Sequence, residues 1–140
     1  MKLSTKGRYG VKAMFDLAVH YGSEPISIKS ISDRQGISEN YLEQLFSTLR
    51  KAELIKSIRG AQGGYMLNKL PAEITVADIF DVLEGPIEVS DCIDENCCSK
   101  IGSCGTRGLW IKIKNSFDEV TQSVTLQDMV DDYNKNKIEE

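Results

Sequence analysis

All four cysteines of the 140-residue chain lie between Asp91 and Cys104, in the string D-C-I-D-E-N-C-C-S-K-I-G-S-C. Cys92, Cys98 and Cys104 are each separated from the next by five residues, and Cys97 stands beside the middle one. Thiolates are the soft ligands that iron-sulfur clusters and zinc select, and Gly102, Gly105 and Gly108 let the segment bend so that three sulfurs converge on one centre. The spacing reads first as an iron-sulfur site. Zinc, a disulfide framework and unliganded thiols are the competing chemistries. Structural zinc usually brings paired C-x2-C elements, which this segment lacks. Disulfides belong to an oxidising compartment, whereas the chain opens on Met1-Lys2 with no apolar signal segment. A loop of free thiols acting as a redox sensor stays open.

The rest of the chain must position such a loop. At 41% hydrophobic residues it can bury one core plus an extension, and no apolar run approaches the ~18 residues of a membrane span. The expectation is a soluble, cytoplasmic protein with no membrane partner. The net charge of -4 conceals an asymmetry: residues 1–70 carry eleven Lys/Arg against six Asp/Glu, and residues 71–140 six against fifteen. The amino-terminal half is therefore the half able to approach phosphate.

That half opens with a helix running from a cap at Ser4 or Thr5 to about His20, with Tyr9, Ala13, Met14, Leu17 and Ala18 along one face. Lys6, Arg8 and Lys12 read as its solvated side, and His20, the sole histidine, as a structural residue satisfying the last carbonyls. Ser27 caps a short second helix holding Ile28 and Ile31. Gln35-Gly36-Ile37 makes a turn, and Ser38 caps a third helix with Leu42, Leu45, Phe46 and Leu49 on one stripe. Two short helices about a glycine turn describe a helix-turn-helix, whose second helix enters the major groove. Asn40, Glu43 and Gln44 occupy its exposed sector, and Tyr41 and Arg50 are placed to touch the DNA backbone. Gln can pair with adenine and Glu can accept from the cytosine amino group. An ordinary helical hairpin within a core would show the same pattern.

The following segment separates the two. Leu54–Ile58 and Tyr65–Leu67 read as strands flanking the tip Arg59-Gly60-Ala61-Gln62-Gly63-Gly64, so a hairpin wing follows the helix pair. Arg59 is expected to enter a narrow minor groove, with Gly60, Gln62 and Gly63 letting the backbone approach the sugar-phosphate chain. A nucleotide phosphate loop would need a Gly-Lys-Ser/Thr ending and an immediate helix, and the tip has neither.

Beyond Pro71, Thr75 caps a helix to about Leu83 that Gly85-Pro86 stops. After the cysteines, Leu109, Trp110, Ile113, Phe117, Val120 and Val124 form the apolar stripe of a longer helix. Either its own domain or the same helix of a second subunit must cover it, and a homodimer would match an operator of two half-sites. Residues 125–133 are expected to add a short terminal helix, and the tail N-K-N-K-I-E-E is expected to fray. The chain thus divides into a winged helix-turn-helix domain (1–85), a cysteine-bearing loop (86–108) and a dimerisation helix with tail (109–140). The fold class is mainly α with a small β-hairpin wing. No nucleophile-base pair or paired carboxylate motif points to an enzyme.

These strings, S-T-K-G-R-Y-G-V, Q-G-I-S-E-N-Y-L-E-Q-L-F, S-I-R-G-A-Q-G-G-Y and C-x5-C-x5-C, closely resemble the IscR-like group of iron-sulfur cluster regulators in the Rrf2 family. The resemblance spans most of residues 1–130. It implies a homodimeric repressor on double-stranded, palindrome-like operators, with base or groove contacts from Glu43, Gln44 and Arg59. It also implies a cluster on Cys92, Cys98 and Cys104, 2Fe-2S ahead of 4Fe-4S, that controls DNA binding. In relatives of this group a histidine three residues after the last cysteine completes the site, and here that position is Arg107. Cys97, Asp94, Glu95 or a residue of the partner's first helix would then be the fourth ligand. The alternative in the same fold is a regulator of cysteine or sulfur metabolism that works without a cluster, by thiol oxidation or a partner enzyme.

Overall fold

Helix α1 (Thr5–Val19) is the strut on which most of the later helices pack. The computed structural model describes residues 4–86 and 105–139, so the four cysteines lie outside the described residues. α1 buries Ala13, Met14, Leu17 and Ala18, as its spacing predicts, and also Gly7, Gly10 and Asp16, which the apolar pattern does not mark. Both glycines serve close helix approach. A Cβ on Gly7 would stand 2.6 Å from Glu84 Oε1, and one on Gly10 would overlap the Leu83 side chain.

Helices α2 (Ile28–Gln35) and α3 (Glu39–Lys51) form the helix-turn-helix. Ser27 Oγ accepts from Ser30 N–H at 3.1 Å and Ser38 Oγ from Tyr41 N–H at 3.2 Å, so each helix begins where its cap predicts. Gly36 ends α2 in the left-handed region (φ 69°), a conformation that costs a residue with a Cβ about 1 kcal/mol or more. Ile37, just beyond it, is buried and pulls the turn onto the core. Leu42, Leu45, Phe46 and Leu49 are all at most 1% exposed, so the whole apolar stripe of α3 is spent on packing, while Asn40, Glu43 and Gln44 stay exposed.

Strands β1 (Ile55–Ile58) and β2 (Gly64–Leu67) pair antiparallel in the register Ile55 to Leu67 and Ile58 to Gly64. Ile26 and Tyr65 exchange backbone hydrogen bonds of 2.9 and 2.8 Å, tying the root of the wing to the start of the helix-turn-helix. Gly64 is needed there because a Cβ would meet the Ile26 carbonyl. Tyr65 also packs its ring on Phe46, with centroids 4.8 Å apart. The wing is thereby fixed to α3.

A 3-10 turn at Pro71–Glu73 leads to α4 (Val76–Leu83), which Thr75 and Asp78 open with a reciprocal capping box. Helix α5 spans Arg107–Ser123, and α6 spans Leu126–Glu139. α6 is longer than expected: the tail predicted to fray continues as helix to Glu139. Its first turn explains the extension. Thr125 and Asp128 exchange capping hydrogen bonds of 2.9 and 3.1 Å, Leu126 N–H donates to Ile74 O at 2.9 Å, and the Leu126 side chain is fully buried in the core. Tyr133 meets Phe15 of α1 edge-on at 5.5 Å. Nucleated and docked in this way, the polar tail can propagate as helix.

Candidate nucleic-acid interface

Asn40, Glu43 and Gln44 are exposed on the first turns of α3, unused by packing because the buried stripe lies on the opposite side. Tyr41 differs from them. It is half-buried, and its ring meets Tyr9 of α1 edge-on, with centroids 5.8 Å apart and planes at 89°. Lys12 Nζ lies 5.5 Å from the centre of the Tyr9 ring. The pair Tyr9 and Tyr41 therefore joins α1 to α3. Arg50 is exposed in the last turn of α3, about 15 Å along the axis from Asn40 at 1.5 Å per residue, so it belongs to the far end of any footprint.

The residues expected at the wing tip do lie there. Arg59, Gly60 and Gln62 are exposed, Gly63 is half-buried, and Gly63 N–H donates to Gly60 O at 3.0 Å to close the turn. Gly60 takes φ 116°, open to glycine and strained for other residues. A Cβ on Gly63 would strike the Ile58 carbonyl. The tip is thus narrow for a backbone reason, and a narrow tip bearing a cation suits a narrow groove.

Lys6 is the residue of this surface that the sequence does not mark. Expected on a solvated face, it lines a groove of about 310 Å³ with Tyr41, Gln44, Leu45 and Thr48 of α3. The amino end of α1 therefore borders the same surface as the polar sector of α3. Lys6 brings an exposed cation to this end of the surface. The contact is between helices remote in sequence, and no local motif announces it.

Away from this face, Asp16 is buried between α1 and α2. Burial pushes its carboxyl up, but hydrogen bonds from Arg34 and Gln35 and the charges of Arg34 and His20 outweigh that, and the net shift is downward. His20 Nδ1 lies 2.8 Å from Asp16 O, which suits the structural role expected of it. Among the described residues no three His, Cys, Asp or Glu side chains are grouped to hold a metal ion, and none of their helices is long and apolar enough to cross a membrane.

The apolar stripe of α5 is divided. Phe117 stacks on Phe80 of α4 at 6.0 Å with planes 8° apart, so part of the stripe is covered within the chain. Leu109 and Val120 remain 52% and 58% exposed.

Comparison with known proteins places this architecture. Residues 3–132 match the Rrf2 family, described as iron-dependent transcriptional regulators. The HTH-type transcriptional regulator CymR of Bacillus subtilis is 49% identical over 129 residues, covering 92% of this chain and 89% of CymR. Its solved structure, that of the global cysteine regulator of that organism, superposes with a TM-score of 0.80 over 94% of this chain and 97% of the other. IscR of T. potens superposes with a TM-score of 0.78 at 51% identity, covering 95% of this chain and 88% of that one. The HTH-type transcriptional regulator IscR of Photorhabdus laumondii is 40% identical over 130 residues, covering 93% of this chain and 79% of IscR.

Proposed function

The chain belongs to the Rrf2 family of winged helix-turn-helix transcriptional regulators, which are not enzymes, and from that premise we propose that it is a homodimeric repressor whose grip on DNA is set by an iron-sulfur cluster. The observation that carries the cluster is the donor set: three thiols at equal intervals in a glycine-containing segment that lies between α4 and α5 in the sequence. Three cysteine sulfurs fit the soft, thiolate-selecting chemistry of iron-sulfur centres, and Cys92, Cys98 and Cys104 would hold it. A 2Fe-2S centre is preferred over 4Fe-4S. When bound, the group supplies a redox-sensitive, iron-dependent cross-link within one segment.

The chain's own residues do the reading. Gln44 and Glu43 face base edges in the major groove, Asn40 reaches the same groove from the first turn, and Tyr41 and Arg50 hold the sugar-phosphate chain. Arg59 enters the adjacent minor groove, with Gly60, Gln62 and Gly63 shaping the tip. Lys6 adds a phosphate contact beside Tyr41. Leu109 and Val120, exposed on α5, supply apolar surface for a second subunit, and a cluster held between α4 and α5 in the sequence alters how two reading helices are spaced.

A second reading is favoured by the 49% identity to CymR and the superposition on a structure described as a global cysteine regulator. In that reading the same winged dimer reports cysteine or sulfur status through thiol oxidation or a partner enzyme, and the cysteine segment holds no cluster. Anaerobic purification with iron and sulfide quantitation separates the two. The operator is first recovered by selection from a random duplex pool, and binding is then compared for reconstituted and stripped protein. Protein that remains colourless and iron-free after reconstitution sinks the cluster reading and leaves the thiol one.

A further inference from the structure

Helix α1 is capped from outside itself. Its N-cap residue, Ser4, makes no side-chain bond to its own helix. Instead Ser4 Oγ donates to Glu84 Oε1, and Gly7 N–H donates to the same oxygen at 2.8 Å. Gly7 is the third residue of α1, whose amide a helix ordinarily satisfies from its own N-cap side chain. A carboxylate at that end also answers the partial positive charge of the helix terminus. Glu84 is the residue that ends α4, and Gly85, at φ 71°, turns the chain away at once.

The fit around this contact is close. Leu83 packs over Gly10 and Glu84 over Gly7, leaving no room for a side chain at either glycine. From the capped end the path to the reading helix is short. Lys6, next to Gly7, lines the groove with Tyr41, Gln44 and Thr48, and Tyr9, one turn from the cap, holds the Tyr41 ring edge-on. On the other side, Glu84 stands eight residues before Cys92, the first cysteine.

We infer that Glu84 is the positioning residue that couples the cysteine-bearing segment to the DNA-reading surface, by capping α1 and so setting where Lys6 and Tyr41 stand. The inference rests on the proposed regulatory reading of that segment. A pull on the carboxyl end of α4 shifts or withdraws the cap, and α1 moves against α3 at the Tyr9–Tyr41 contact. Coupling needs an element that both sites bias, and the borrowed cap is the contact that joins the carboxyl end of α4 to the amino end of α1.

The test compares operator affinity of cluster-loaded and cluster-stripped protein for wild type, Glu84→Ala, Glu84→Gln and Ser4→Ala, using the selected duplex. The readout is the ratio of the two affinities, with iron per protomer and far-ultraviolet circular dichroism measured alongside. A purely structural cap changes both affinities equally and leaves the ratio alone. For a wild-type ratio of about tenfold, within the usual range of coupling, Glu84→Ala is expected to bring it within about twofold of unity at unchanged iron content. Glu84→Gln, which keeps the accepting oxygen, should retain most of the ratio, and Ser4→Ala should fall between. Should Glu84→Ala fail to fold, Ser4→Ala, which removes one of the two bonds to the same oxygen, decides alone: an unchanged ratio in it overturns the inference. A wild-type ratio preserved in Glu84→Ala overturns the inference and spares the cluster reading. A wild-type ratio of one sinks the cluster reading itself, and this inference with it.

Discussion

The Asp16 carboxylate, only 3% exposed, is gripped by the Arg34 guanidinium through hydrogen bonds of 3.0 Å from Nε and 2.7 Å from Nη2. Gln35 adds a third at 3.0 Å. Asp16 lies on α1, Arg34 and Gln35 on α2, so this cluster fixes the first helix of the helix-turn-helix against the strut.

Stability should therefore follow the ionisation of Asp16. Its folded pKa is lowered below 3.8, so the stabilisation is fully present above the unfolded value near 3.9 and fades as pH falls through the lower folded value. Asp16→Asn should cost about 2 kcal/mol at neutral pH, toward the low end for charge-assisted bonds because the Arg34 side chain is 40% exposed. Urea melts between about pH 3 and pH 7 check this. The gap between wild type and Asp16→Asn should hold down to about pH 4 and close below it, and a gap independent of pH would mean that the charge is not responsible.

Leu126 tests whether the carboxyl-terminal helix belongs to the core. Its side chain is fully buried and its backbone is tied to Ile74. Leu126→Ala should destabilise the whole winged region by about 3 kcal/mol, measured as a shift of a single unfolding transition. Early melting of α6 alone, with the rest unchanged, would contradict this packing.

Recognition of DNA divides by residue. Gln44→Ala should cost about 1–3 kcal/mol at one base position, whereas Lys6→Ala should weaken all sequences alike and reduce the salt slope by about one. Competition binding with single-base operator variants at several salt concentrations separates the two. Equal loss on every sequence for Gln44→Ala would remove it from base reading.

Cluster chemistry is checked at Cys98. Cys98→Ala should lose iron and visible absorption after anaerobic reconstitution while its melting curve stays near that of wild type. Full iron content in this variant would show that Cys98 is not a ligand.

The helices and the wing are legible in the sequence because their signals are local. Ser27, Ser38 and Thr75 cap where their side chains can reach an amide two or three residues on, and Leu42 to Leu49 repeat at the helical period. Gly36 and the glycine-rich wing tip mark turns for equally local steric reasons. Ser4, expected to cap α1, differs from these three, since its hydroxyl is turned to Glu84, eighty residues away.

What the sequence determined by itself was the order of elements, the winged helix-turn-helix class and the exposed sector of α3, all consequences of side-chain spacing within one turn or strand. The tertiary structure decided the rest: the burial of Asp16 under Arg34, the use of Gly7 and Gly10 as landing sites for Glu84 and Leu83, the arrival of Lys6 beside Gln44, and the docking of Leu126. Each joins residues far apart along the chain. Such contacts exist only after the helices pack, because they depend on the distance between axes and on which faces meet, and no spacing within a single helix encodes either.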